Sequence, residues 1–102
     1  MHLIQIFLPL ATNAGQPVSK ERFDEVRREL TERFGGMTGH TRAPVEGLWK
    51  DAEEQTTRDD IVIFEVMAPS LDRGWWHEYR QQLAISFEQQ EILVRAQAIE
   101  LL

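Results

Sequence analysis

The chain has 102 residues, a length that fits one domain with one hydrophobic core. Its 11 basic and 17 acidic residues give a net charge of −6, which argues against the clustered basic surface of a nucleic-acid-binding protein and against docking on anionic membranes. The absence of cysteine excludes disulfides, thiolate nucleophiles and cysteine-ligated metal sites.

The first two predicted elements are a strand and a helix. The segment "HLIQIFLPL" has the composition of a strand that ends at Pro9. It is too short, too polar at Gln5 and too poor in preceding Lys or Arg to be a signal peptide, and no other apolar run could span a bilayer, so we expect a cytoplasmic protein. Ser19 is then predicted to cap the amphipathic helix "SKERFDEVRRELTERFGG", which Gly35 and Gly36 end.

The second half of the chain repeats this pattern. Two strands, "GHTRAPVEGLWKD" (39–51) and "RDDIVIFEVMAP" (58–69), precede a helix capped by Asp72, "RGWWHEYRQQLAISFEQQ" (73–90), and a last strand, "EILVRAQAIELL" (91–102). The order β-α-β-β-α-β predicts a single α+β domain over residues 1–102. Its fold class is a ferredoxin-like sandwich, with a four-stranded antiparallel sheet of order 4-1-3-2 and two helices on one face.

The second strand combines features of a sheet edge and of a binding loop. An edge strand tolerates Pro44, and Gly47 would mark a bulge that discourages unwanted pairing. Trp49, close to Arg42 and Glu46, is the residue of this stretch that would suit a ligand. Protection of an edge explains the proline and the glycine without a ligand, and Trp49 stays a candidate binding residue.

Side-chain alternation predicts which face of the sheet the helices cover. The first, third and fourth strands each have one wholly apolar set, which belongs under the helices because an unpaired buried charge is costly. The opposite, open face is mostly apolar but carries four polar residues. The two sets are, on the covered face, Ile4, Ile6, Leu8, Val62, Phe64, Val66, Ile92, Val94, Ala96 and Ala98, and, on the open face, Leu3, Gln5, Phe7, Ile61, Ile63, Glu65, Met67, Leu93, Arg95, Gln97 and Ile99.

The polar residues of the open face form the candidate site. Arg95 would hold an anionic or polar small molecule, Gln5 and Gln97 would assist it, and Glu65 is a candidate general base. The alternative is a structural network in which Gln5 bridges Glu65 and Arg95 with no ligand. The sequence predicts no metal site, because His77 lacks a second ligand at helical spacing, and it implies no cofactor.

The order of elements and the open apolar face resemble the dimeric α+β barrel superfamily of ferredoxin-like proteins, and the segments "ERFGGMTGHTRAPVEGLW" and "DDIVIFEVM" resemble small bacterial proteins of unassigned function. This resemblance implies a homodimer in which two sheets pack face to face through their open faces, with pockets between sheet and helices or within the barrel. Two classes of function stay open: a domain that binds or acts on a small polar molecule, and a non-catalytic homodimeric or accessory interaction protein.

Overall fold

The computed structural model of the chain describes residues 1–44 and 60–102, and side chains outside 40–60. Its elements are β1 (His2–Pro9), α1 (Lys20–Phe34), β2 (Gly39–Pro44), β3 (Asp60–Ala68), α2 (Arg73–Ser86) and β4 (Leu93–Ala98). The predicted α+β class is confirmed. Residues 45–51 of the predicted second strand, which include Glu46, Gly47 and Trp49, lie outside the described residues, as does the side chain of Arg42. None of the helices in the described ranges has the length and apolar composition needed to cross a membrane.

The strands form one antiparallel sheet in the order β2-β3-β1-β4. Read from the opposite edge, this is the 4-1-3-2 order derived above from the crossover rule. β2 lies at one edge, where Pro44 pairs with Asp60 at the start of β3. β4 lies at the other edge and pairs with β1. The long strands β1 and β3 therefore occupy the centre of the sheet.

A single hydrophobic core lies between one sheet face and both helices. The even-numbered apolar residues of β1 and β3 are buried, and they pack in one cluster with side chains of α1 and α2. Alternation along the strands predicts this face, because residues two apart point to the same side. The buried members from the four elements are Ile4, Ile6, Leu8, Val62, Phe64, Val66, Ala68, Val26, Leu30, Trp76, Tyr79 and Leu83.

The helices begin at the predicted caps. The Ser19 hydroxyl accepts a hydrogen bond from the Arg22 N–H at 3.4 Å, and Asp72 accepts one from the Trp75 N–H at 3.1 Å. α1 ends at Gly35, whose φ of 81° is the left-handed conformation that glycine adopts at low cost. These ends follow from local hydrogen bonding, which explains why the sequence predicts them well.

α2 ends at Ser86, four residues before the predicted end. The Gln89 N–H donates to the Ala84 carbonyl at 2.8 Å, and the Glu88 N–H donates to the Ile85 carbonyl at 3.1 Å. This pair of bonds is the Schellman motif, with Glu88 in the left-handed position at φ 52°. The prediction that the helix runs to residue 90 is wrong, because the left-handed position at its end is Glu88 and not a glycine that the sequence would have marked.

β4 is shorter than predicted, covering 93–98 rather than 91–102. The prediction that its even-numbered residues all lie under the helices holds for Ile92, which is 2% exposed, but is wrong for Ala96 and Ala98, which are exposed. Near these two alanines the first turn of α2 stands away from the sheet, and the gap between them is the cleft described below.

Candidate functional site

The polar residues of the open face contact one another across three strands. Glu65, Gln5 and Arg95 lie directly opposite each other on β3, β1 and β4. Gln5 Nε2 donates to Glu65 Oε2 at 2.7 Å, and Arg95 Nε donates to Gln5 Oε1 at 2.8 Å. The Arg95 guanidinium also lies 5.1 Å from the centroid of the Phe7 ring. Gln5 is therefore the bridge between the two charged groups that the structural alternative predicted.

This open-face network, formed by Gln5, Glu65 and Arg95, gives each member a protein partner. A ligand held by Arg95 through Nε would have to replace its bond to Gln5. Gln97 follows two residues later on the same strand and is exposed, and its side chain forms no hydrogen bond with any residue in the described ranges. The interpretation of these four residues as a ligand site stays a prediction, and Trp49 lies outside the described residues.

The apolar part of the open face is less accessible than the sequence suggests. Phe7 and Ile61 are only 5% and 4% exposed within one chain. Leu3, Ile63 and Met67 are half-buried. The Arg95 guanidinium on Phe7 accounts for part of this covering, because a cation packs favourably on an aromatic face. The apolar area left for a partner is therefore smaller than alternation alone predicts.

A cleft of about 430 Å³ lies on the opposite, helix-covered face, between β4 and the start of α2. We call it the α2 cleft. Ile4 of β1 is at its floor, and His2 stands at the start of the same strand. One wall is formed by Val94, Ala96 and Ala98 of β4. The other is formed by Arg73 and Trp76 at the start of α2 and by Leu71, which precedes the cap Asp72.

Two polar side chains at the α2 cleft have no partner among the residues that the structure describes. The Nδ1 atom of His2 is buried and accepts or donates no hydrogen bond within the described residues. Arg73 is exposed and forms no ion pair with the residues that the structure describes. Asp72, by contrast, caps α2 and lies 3.5 Å from the Arg33 guanidinium. The cleft thus combines apolar walls with two polar side chains, His2 and Arg73, that have no hydrogen-bond or ion-pair partner within the described residues.

Arg95 and Gln97 also contribute to the wall of the α2 cleft. The Arg95 side chain is hydrogen-bonded to Gln5 on the open face, and residue 97 shares the same side of the strand. Their contribution to the cleft is therefore the main chain of β4. Two of the residues predicted to bind a ligand border the cleft in this way, whereas Gln5 and Glu65 face away from it.

Sequence reasoning missed the α2 cleft for a physical reason. Trp76 is 7% exposed and belongs to the core cluster, so it serves the core and lines the cleft at once. His2 and Arg73 are not among the candidate residues that the sequence predicts. The one available signal is the small size of Ala96 and Ala98, because small side chains facing a helix start leave unfilled volume. His77 is exposed on its helix.

Tyr79 is an ionisable group of the core that is engaged in structure. Its hydroxyl donates to Glu29 Oε1 at 2.8 Å, and its ring stacks on Trp75 at 4.7 Å between centroids. Burial of the phenol, reinforced by the hydrogen bond to Glu29, raises the pKa of Tyr79 well above its usual value of 10.0. No group of three His, Asp or Glu side chains suited to hold a metal ion occurs within 1–39 and 61–102.

Comparison with known proteins identifies a shared fold. No protein-family model matches the sequence, and no curated protein matches it. Among solved structures, the chain is similar to a phage SAM lyase in complex with S-methyl-5'-thioadenosine, with a TM-score of 0.64 and 14% sequence identity. The match covers 94% of this chain and 79% of the lyase chain. At this identity the similarity establishes a common α+β fold.

Proposed function

We propose that this ferredoxin-like chain binds a small molecule in the α2 cleft. The observation that carries the proposal is a cleft of ligand size lined by Arg73 and His2, whose side chains form no ion pair or hydrogen bond with the residues that the structure describes. Small-molecule sites are typically concave, mostly apolar and provided with a few convergent polar groups. A volume of about 430 Å³ falls within the usual range for such sites.

Each part of the cleft suits a different part of a ligand. Leu71, Trp76 and Val94 offer an apolar surface for a ring or an alkyl group. Arg73 presents several fixed donors to a carboxylate, a phosphate or a hydroxyl-rich group. The His2 imidazole is a second polar group in the lining of the cleft. The favoured ligand is therefore amphipathic, with an apolar portion and one anionic or polar end.

The experiment is a ligand screen by native mass spectrometry, followed by titration of the hits. S-Methyl-5'-thioadenosine, the ligand of the similar phage SAM lyase, is the first probe, and a set of small carboxylates and phosphates follows. Arg73→Met should weaken a genuine hit. The matched control is Arg28→Met, which removes an exposed arginine from α1, away from the cleft. Equal weakening by both variants, or no retained ligand in the whole screen, would refute the proposal.

The second candidate is a homodimer formed through the open face, as in the dimeric α+β barrels that the chain resembles. The observation that favours it is the row of half-buried apolar side chains Leu3, Ile63 and Met67, which would lose their remaining water contact. Met67→Lys should dissociate this dimer in sedimentation experiments at micromolar concentration. Ile85→Lys changes a residue that is 78% exposed on α2 and should have no effect.

A further inference from the structure

The outer edge of β4 carries a regular pattern of main-chain groups that are unpaired within the part of the chain that the structure describes. The Ile99 N–H donates to the Met1 carbonyl at 3.0 Å, which identifies residues 1 and 99 as a hydrogen-bonded pair of the antiparallel ladder. Hydrogen-bonded and non-hydrogen-bonded pairs alternate along such a ladder. Leu93, Arg95 and Gln97 therefore direct their N–H and C=O groups to β1. The intervening residues Val94, Ala96 and Ala98 direct theirs away from the sheet.

This edge lacks the features with which proteins usually prevent pairing. The other edge strand, β2, contains Pro44, whereas β4 has neither proline nor glycine. The single charge on β4 is Arg95, and its guanidinium lies over the Phe7 ring on the open face. Ala96 and Ala98 are exposed and present almost no side chain to obstruct another strand. Such an edge is a template for an additional strand.

We propose that β4 pairs with β4 of a second copy of this chain, antiparallel about a two-fold axis at Ala96. The outward main-chain groups require that Val94, Ala96 and Ala98 pair among themselves. Placing Ala96 opposite Ala96 and Val94 opposite Ala98 uses all three residues of each copy. This register also sets Arg95 opposite Gln97 of the second copy on the open face.

The competing register is disfavoured by charge. Shifting the strands so that Val94 faces Ala96 would place the two Arg95 side chains directly opposite each other, and like charges at opposed positions destabilise a sheet. In the favoured register a guanidinium faces a carboxamide that has no other hydrogen bond in the described ranges. A two-fold interface brings the same surface of both copies together, so this self-complementarity is the property that a homodimer requires.

Pairing along β4 would also change the α2 cleft. The side chains of Val94, Ala96 and Ala98 line the cleft on the helix-covered face. In the paired sheet these side chains stay on that face and meet their counterparts across the axis. The clefts of the two copies would then adjoin, and each would gain a wall from the second copy. This last step rests on the proposed ligand-binding function, whereas the pairing itself does not.

The test uses the absence of native cysteine, because a single introduced thiol is then the only one that can be oxidised. Ala96→Cys places the two thiols at the axis, where Cα atoms of a hydrogen-bonded pair lie about 5.5 Å apart, within the range that a disulfide bridges. Ala98→Cys is the matched control. Residue 98 faces residue 94 of the second copy, so the two thiols lie about 13 Å apart at four residues of offset.

Mild oxidation of dilute protein, read on a non-reducing gel, should give a covalent dimer with Ala96→Cys and little with Ala98→Cys. Equal yields, a higher yield at residue 98, or none at either position would overturn the proposal. A second measurement uses residue 97, which faces Arg95. Gln97→Glu should lower the dissociation constant of the dimer by about five-fold, and Gln97→Arg should raise it by about five-fold, because each interface contains two pairs of residues 95 and 97. No difference between these variants would contradict the register, and neither assay depends on a ligand.

Discussion

Replacement of Arg95 by methionine measures what the open-face network contributes to stability. Methionine keeps an unbranched apolar stem on Phe7 but removes the bond from Nε to Gln5 and the cation above the ring. The hydrogen bond is worth about 0.5–1.5 kcal/mol, and an exposed cation–π contact about 0.5–1 kcal/mol. We therefore expect a loss of about 1–2 kcal/mol in the free energy of unfolding. Gln5 remains hydrogen-bonded to Glu65, so no buried charge is left without a partner.

This expectation is smaller than the one for a buried ion pair. Breaking a fully buried pair costs about 3–5 kcal/mol, because the remaining charge is stranded away from water. Arg95 is exposed and Glu65 is half-buried, so water can solvate Glu65 after the substitution. The expected loss of unfolding free energy therefore depends on how exposed Arg95 and Glu65 are. Alternation along the strand does not predict that exposure.

Urea unfolding followed by circular dichroism gives the required comparison. The variant should show a lower midpoint with an unchanged slope, and a melting temperature lower by about 5–10 °C. Gln82→Met, an exposed position on α2 away from the network and from β4, serves as the control and should change stability by less than about 0.5 kcal/mol, as surface substitutions usually do. A loss above about 3 kcal/mol would mean that the network behaves as a buried one. A loss equal to that of the control would mean that the bridge contributes nothing.

Three further predictions concern the helices and the core. The folded-state pKa of Tyr79 is raised above its unfolded value near 10, so the stability that this phenol contributes is fully present below pH 10 and is lost as the pH rises beyond it; Tyr79→Phe should make alkaline unfolding less steep. Because Tyr79 is the only tyrosine, the phenolate absorbance should rise at a higher pH in the folded protein than in the protein unfolded by urea. Glu88→Gly should stabilise the protein by about 0.5–1 kcal/mol in urea unfolding, since glycine adopts the left-handed position without strain, and Glu88→Ala should give no such gain. Ser19→Ala should cost about 1 kcal/mol by removing the cap of α1, whereas Ser70→Ala, outside both helices, should be neutral.

Local hydrogen bonding and alternation explain how much of the fold the sequence predicts. The caps Ser19 and Asp72 are side chains that satisfy N–H groups of their own helix, so a short stretch of sequence contains the whole interaction. β1 and β3 are central strands whose predicted helix-facing sets are buried, although Phe7 and Ile61 of the opposite face are buried as well. The end of α2 is different, because Glu88 takes a conformation that its residue type disfavours, and only tertiary structure requires it.

The candidate site is predicted less well because it depends on distances between elements. The sequence places Gln5, Glu65 and Arg95 on one face, and the structure shows that they bond to one another instead of converging on an empty space. The α2 cleft exists because the first turn of α2 stands away from β4. No pattern of residue types in the sequence predicts the distance between α2 and β4. The sequence can therefore suggest which side chains share a face, but not where volume is left unfilled.

The alternation of β4 makes the proposals separable by experiment. Its even-numbered side chains line the α2 cleft, Arg95 belongs to the open-face network, and the outward main-chain groups form the free edge. Arg95→Met should therefore reduce stability without weakening a ligand in the cleft, since the Arg95 side chain points to the other face. Arg73→Met should weaken that ligand while leaving cross-linking through Ala96→Cys intact, because Arg73 lies on α2 and not on the edge. If Arg95→Met abolished ligand binding while the protein stayed folded, the ligand would instead occupy the open face, and Arg95 would be its anchor as the sequence first suggested.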